Sequence, residues 1–196
     1  MRRLLVHLAC AVPLALALWA AAMGGLSANP IEDITHRAGA ATLTLLLVTL
    51  AFRPVEIVTG RRGHMRYRRA VGMWSFAYAT IHLLIFVGLD YGFDPTFLKE
   101  GVAKKPYAWL GFTGWLLMAP RAATSMGPWK RWYGRYQQAF DYSVYACAVV
   151  GVAHFWWLVK TDHTKPAVYG AILLLLLAMR TPPVTGWFTT NRPARS

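Results

Sequence analysis

Charge is the first thing this 196-residue chain is short of. Asp, Glu, Lys and Arg make up 15% of it, against about 25% in an ordinary soluble domain. Acid is scarcest: 8 Asp and Glu stand against 21 Lys and Arg, a formal charge of +13. With 56% hydrophobic residues, this composition excludes a disordered, solvated tail and argues against a soluble enzyme. Cysteine is almost absent. Cys10 and Cys147 both lie in apolar blocks, which excludes a disulfide framework and a zinc site. There is no Gly-rich phosphate loop, no dinucleotide fingerprint, no low-complexity tract and no clear internal repeat.

What is present is long apolar runs. Six blocks stand out, at about 4–23, 38–52, 70–89, 107–120, 142–159 and 167–179. The first, third and fifth are long enough to cross a hydrocarbon core of about 30 Å at 1.5 Å per residue. The other three are short, and snorkelling or bilayer thinning extends them. The expected fold is therefore an all-α, six-helix transmembrane bundle forming a single domain over 1–196. The basic balance could serve nucleic acid or membrane-flanking loops, and the apolar blocks favour the loops. With a cytoplasmic N-terminus, 15 of the 21 basic residues fall inside: Arg2, Arg3, Arg53, Arg61, Arg62, Arg66, Arg68, Arg69, Arg121, Lys130, Arg131, Arg135, Arg180, Arg192 and Arg195. That bias puts both termini in the cytoplasm. A competing reading takes residues 1–25, with Ala20-Ala21-Ala22, as a signal peptide. It would remove one span without moving the later loops.

Of six histidines, His64 and His163 fall in loops and read as solvated, His7 has no obvious partner, and His36 leads the second block as a cap or a solvent-facing residue. His82 and His154 lie deep in apolar blocks, where an ionisable side chain is a functional candidate by default. Each follows the inner end of its span (Arg69 and Asp141) by 13 residues, about 20 Å. Two imidazoles at matched depth in the outer half of the bilayer can bind a metal between them, as the iron of a haem requires. Gly72, Ser75 and Ala79 share a face with His82, and Ser143, Cys147 and Gly151 with His154. These small residues leave room for a flat macrocycle, or serve close helix packing with each histidine hydrogen-bonded to a neighbour. Asp141 admits two readings, an ion pair with Arg68 or Arg69 or a helix N-terminal charge in the headgroup layer.

Four stretches carry a wider likeness: Asn29-Pro30-Ile31-Glu32-Asp33-Ile34-Thr35-His36-Arg37-Ala38-Gly39, Arg68 through Trp74 continuing to Ala79-Thr80-Ile81-His82, Lys105-Pro106-Tyr107, and Val144-Tyr145 through His154-Phe155-Trp156-Trp157. In their order and spacing the chain resembles the haem-binding membrane subunit of the bacterial periplasmic protein-methionine-sulfoxide reductase system, part of the ferric-reductase-like transmembrane superfamily that also holds the NADPH oxidases. The resemblance implies a haem b electron conduit in the bacterial inner membrane, with His82 and His154 as axial ligands. It implies a cytoplasmic flavin reductase or quinone as donor and a periplasmic molybdenum-cofactor subunit as acceptor. Membrane lipid is the other implied contact, and nucleic acid is not one. It also implies FMN, for which no residues here are assignable.

The chain departs from that pattern at the start of the fifth block, where Leu-His is replaced by Phe140-Asp141. In the superfamily an inner haem uses this position and one at the start of the third block, which is Arg68 or Arg69 here. One haem, on the outer side, is therefore expected, with Arg68, Arg69 and Asp141 where a second would sit. Thirteen residues on an ideal helix turn through about 220°, so Asp141 and His154 share a face only across a distortion such as a π-bulge. Trp129, Trp132, Tyr133 and Tyr136, interleaved with Lys130, Arg131 and Arg135, could stack a flavin or quinone ring or form an interfacial amphipathic segment. About 17 residues follow the last block, too few for a nucleotide-binding domain, so electrons must come from a separate molecule. No acid, base or nucleophile set for methionine sulfoxide chemistry is visible. Competing functions are a stand-alone ferric or quinone reductase, separable by co-purification with a molybdenum protein, and a non-haem scaffold or transporter, which would be colourless.

Overall fold

The structure is a computed structural model that describes residues 2–125 and 130–190, without the side chains of 130–135, 137, 138, 140 and 188–190. The described chain is helical throughout: α1 (Arg2–Ala22), α2 (Pro30–Thr59), α3 (Arg68–Leu84), α4 (Pro95–Lys104), α5 (Tyr107–Ala123), α6 (Lys130–Leu158), α7 (Thr164–Ala178) and α8 (Pro182–Thr190). A 3₁₀ turn, Met65–Tyr67, leads into α3, and a π turn, Ile85–Asp90, extends it. Three stretches are long and apolar enough to cross a membrane: α1, α2, and the run Met65–Asp90.

α2 outruns the apolar block 38–52 at both ends, because its ends are well signalled. Asn29 caps it by accepting from the Glu32 amide at 3.3 Å, Pro30 opens it, and Glu32 and Asp33 sit in its first turn, where negative charge suits the helix dipole. Gly60 ends it in the left-handed conformation (φ 66°), its amide returning to the Glu56 carbonyl. Asp94 caps α4 in the same way, accepting from the amides of Thr96 and Phe97. Before α7, the Thr164 hydroxyl and amide donate to Asp162 and hold its carboxyl below the ordinary carboxylate range.

α2 runs through the centre. Leu43, Leu46, Leu47 and Leu50, at one-face spacing, are buried with Ala79 of α3, Met118 of α5, Val144, Cys147 and Ala148 of α6, and Leu173 and Leu176 of α7. Many other apolar side chains point outward. Leu4, Leu5, Leu8, Leu16 and Leu18 of α1 and Leu174 and Leu175 of α7 are exposed, which suits lipid and not water. Since lipid is as apolar as leucine, the helices are held by close packing and by hydrogen bonds between them. One such bond docks α1. The Tyr78 hydroxyl accepts from the Leu14 amide and donates to the Cys10 carbonyl, both at 2.9 Å. These two groups form an i, i−4 pair one residue beyond Pro13, where a proline has already interrupted the ladder.

Candidate functional site

His82 on α3 and His154 on α6 are brought together: their ring centroids stand 6.2 Å apart, with the planes nearly perpendicular at 85°. Both rings are half-buried. The Nδ1 of His82 lies 2.9 Å from the Thr35 carbonyl of α2, and that of His154 lies 2.7 Å from the Tyr107 carbonyl of α5. A carbonyl can only accept, so in each ring the proton sits on Nδ1 and the lone pair on Nε2. This is the tautomer of a metal-binding imidazole oriented by its outer hydrogen bond.

The space under each ring is made by a glycine. A β-carbon on Gly39 would come within 3.2 Å of His82 Cε1, and one on Gly111 within 3.0 Å of His154 Cε1. The donor set fits a haem iron: two imidazoles 6.2 Å apart, each with Nδ1 committed to a carbonyl, would hold it through their Nε2 atoms. Among the described residues no group of three or more His, Cys, Asp or Glu could form a metal site of another kind.

These contacts repeat at a fixed offset. Thr35, Gly39, Thr42, Ser75 and His82 in the α2–α3 pair correspond to Tyr107, Gly111, Gly114, Cys147 and His154 in the α5–α6 pair, each 72 residues on. The corresponding bonds match: both histidines reach a carbonyl 47 residues earlier. Ser75 Oγ donates to the Thr42 carbonyl (2.8 Å) and Cys147 Sγ to the Gly114 carbonyl (3.3 Å), both 33 residues earlier. The chain thus carries an internal repeat that its sequence does not declare, since only Gly39/Gly111 and His82/His154 are identical among the five pairs. The same bonds correct the small-residue stripes. Ser75, at 0% exposure, and Cys147, at 4%, serve helix packing, as do Gly72 against Thr49 and Gly151 against Leu43.

The positions thirteen residues before each histidine behave differently. Among the described residues the ion pair at Asp141 is with Arg121 of α5, at 3.7 Å, whereas one of the two sequence readings paired it with Arg68 or Arg69. Arg69 is exposed. The non-helical residue within α6 is Tyr136 (φ −117°, ψ 16°), ahead of Asp141, so no distortion carries Asp141 round to the face of His154. The π turn falls instead at the end of α3, just past His82.

The remaining histidines find partners that the sequence did not suggest. His7 accepts from Trp74 Nε1 at 2.9 Å, His64 donates to the Phe52 carbonyl at 3.0 Å, and His163 packs edge-on against Trp156. His36 is exposed. Of the aromatic–basic segment proposed to stack a ring, Tyr136 is exposed. Trp129 and the side chains of Lys130, Arg131, Trp132, Tyr133 and Arg135 lie outside the described residues, as does that of Phe140. Sequence reasoning missed Thr35, Gly39, Tyr107 and Gly111. The signal that would have found them is the shared 43-residue step from each glycine to its histidine.

Residues 38–156 match the family described as the ferric reductase like transmembrane component. The chain is 40% identical over 182 residues to the protein-methionine-sulfoxide reductase heme-binding subunit MsrQ of Xanthomonas axonopodis pv. citri, covering 90% of this chain and 84% of the relative. It is 38% identical over 193 residues to MsrQ of Bordetella pertussis, covering 97% and 92%. No solved structure matches it significantly. A transmembrane family, these relatives and the lipid-facing helices make it a multi-pass protein of the bacterial inner membrane. The chain belongs to the ferric-reductase-like transmembrane family and, within it, to the heme-binding subunits of protein-methionine-sulfoxide reductase.

Proposed function

We propose that this chain is the membrane electron carrier of a methionine-sulfoxide repair system, with His82 and His154 as the axial ligands of a single haem b. The observation that carries this reading is the pair of imidazoles at 6.2 Å, each with Nδ1 committed to a backbone carbonyl. Haem held there supplies a reversible one-electron site. The protein's part is to hold two neutral imidazoles with their Nε2 lone pairs available, to fix each ring through the Thr35 or Tyr107 carbonyl, and to leave room under it at Gly39 or Gly111.

The finer reading is a bundle of six spans with both termini in the cytoplasm, supported by the basic bias of the inner segments. Electrons enter from a cytoplasmic flavin reductase or quinone and leave to a periplasmic molybdenum-containing subunit. That subunit performs the reduction, since the site described here has no acid–base or nucleophile set. FMN belongs to this reading only through the family likeness.

The test is the haem-to-protein ratio of the purified protein, with its reduced-minus-oxidised spectrum. A ratio near one with a bis-imidazole b-type spectrum, and loss of haem in both His82→Ala and His154→Ala, is the expected result. Full haem occupancy in either variant, or a colourless protein after haem supplementation, would overturn the assignment. Reduced protein that passes electrons to ferric chelates but not to a molybdenum subunit would favour a stand-alone reductase.

A further inference from the structure

At the end of the bundle away from the two histidines, a cavity of about 540 Å³ is lined by Arg53, Ile57, Arg180, Pro182, Thr185 and Gly186. Arg53 stands 18 residues after Thr35 on α2, about 27 Å along the helix axis. The cavity lies where α2 approaches its end and the chain passes from α7 into α8.

Arg180 is held there by the backbone of α2. Pro54 has no amide hydrogen, so the Leu50 carbonyl four residues earlier loses its helical donor. Arg180 Nη2 replaces it at 2.9 Å. The guanidinium lies 4.6 Å from the centroid of the Tyr145 ring. Its Nε is buried and, among the described residues, has no hydrogen-bond partner.

The charges around the cavity do not balance. Glu56, 7% exposed, receives Arg53 on one carboxylate oxygen at 2.7 Å and Arg62 on the other at 2.9 Å. Arg180 is repelled by Arg68 and Arg53 and attracted by Asp141, and Asp141 is paired with Arg121. Among the described residues, Arg53 and Arg180 line the opening beside the apolar Ile57 and Pro182, with no carboxylate in the lining. Basic pockets of this kind between membrane helices hold phosphate head groups, and guanidinium is the side chain best matched to phosphate oxygens. The exposed Trp187 of α8 suits the headgroup layer.

We propose that this cavity binds a phosphate group, that of an acidic phospholipid in the adjoining leaflet, with Arg53 and Arg180 as its guanidinium contacts. The proposal is independent of the haem reading. It is tested by thermal unfolding of the purified full chain in detergent with added phosphatidylglycerol, phosphatidylcholine of the same acyl chains, or inorganic phosphate at matched ionic strength. Phosphatidylglycerol is expected to raise Tm saturably and phosphatidylcholine to leave it unchanged. Arg53→Gln and Arg180→Gln are each expected to weaken the half-saturating concentration about fivefold. Should Arg180→Gln fail to fold for want of its bond to Leu50, Arg53→Gln, which keeps that bond, carries the test. An equal shift with inorganic phosphate, lost in Arg53→Gln, keeps the phosphate site and makes its source soluble. No shift with either ligand, or the same shift in wild type and Arg53→Gln, overturns the proposal.

Discussion

The two helix pairs, α2–α3 and α5–α6, are alike at one end and unlike at the other. At the histidine end the same construction is used twice: a glycine under a ring, a carbonyl on its Nδ1, a small polar residue bonding the pair together. At the other end the equivalent positions are Arg69, which is exposed, and Asp141, which pairs with Arg121 of its own hairpin. Geometry kept twice over marks a constraint that both pairs must meet together, and the one thing the two constructions share is the placement of an imidazole beside its twin. Where no such constraint acts, each pair has taken whatever charges its own surroundings accept.

The comparison breaks most readily at the glycines. In Gly111→Ala the new methyl meets His154 at 3.0 Å and in Gly39→Ala it meets His82 at 3.2 Å. Either ring must shift against the carbonyl that holds it. Disturbing the groups that orient a ligand costs about tenfold or more in metal affinity. Haem affinity, read by transfer to an apo-acceptor, is expected to fall in both variants and further in Gly111→Ala. Wild-type retention in Gly111→Ala would show that the close contact places no demand on the ring.

The packing bonds come next. Ser75→Ala removes a buried hydroxyl from the Thr42 carbonyl and is expected to cost about 1 kcal/mol. Cys147→Ala removes a thiol, a weaker donor, from the Gly114 carbonyl, so its hydrogen-bond loss is smaller. Cys147→Ser tests the equivalence directly, because it puts the residue of one pair at the matching place in the other. Unfolding in detergent should rank Cys147→Ser at or above wild type, and a large loss would deny that the two positions do the same work.

Much of this was legible in the sequence. Apolar blocks marked most of the helices, though not α4 or α8, because side chains facing a hydrocarbon core are apolar, and two histidines inside such blocks stood out as costly. The ends of α2 were legible only in part, because polar residues such as Asp33, Arg37, Arg53 and Glu56 continue a helix that hydropathy alone cuts short. The repeat was legible only as the 43-residue step shared by Gly39–His82 and Gly111–His154; the rest of it was not. It resides in backbone carbonyls, which any residue supplies, and in a packing role filled as well by Cys147 as by Ser75. Nor was the partner of Asp141. Arg68 and Arg69 matched it in depth, but which side of α6 it faces depends on rotation about the helix axis.

A smaller effect is expected at Asp141 itself. Its side chain is 35% exposed, that of Arg121 is 30% exposed, and 3.7 Å is an ion-pair distance too long for a good hydrogen bond. A partly exposed pair of this kind contributes about 0–1 kcal/mol after solvent screening. Asp141→Asn should therefore lower Tm slightly, and less in high salt than in low. A loss of several kcal/mol would mean that Asp141 holds more of the inner end together than this one contact.

The smallest expected effect is the most informative about the inner end. If Asp141 had simply lost a ligand imidazole, Asp141→His would be expected to restore a haem, alone or with Arg69→His at the equivalent place. The helix argues otherwise. α6 is regular from Asp141 to His154, so position 141 is turned about 220° from the face that carries His154. It looks toward Arg121 of α5. Position 69, thirteen residues before His82 as 141 is before His154, is exposed. Two imidazoles placed there do not face one another across the bundle. The haem-to-protein ratio of Asp141→His, and of Arg69→His/Asp141→His, is therefore expected to stay at that of the wild type. A ratio one unit higher in the double variant would mean that these ends of α3 and α6 rotate to meet a ligand, and that the asymmetry between the two helix pairs is set by side chains alone.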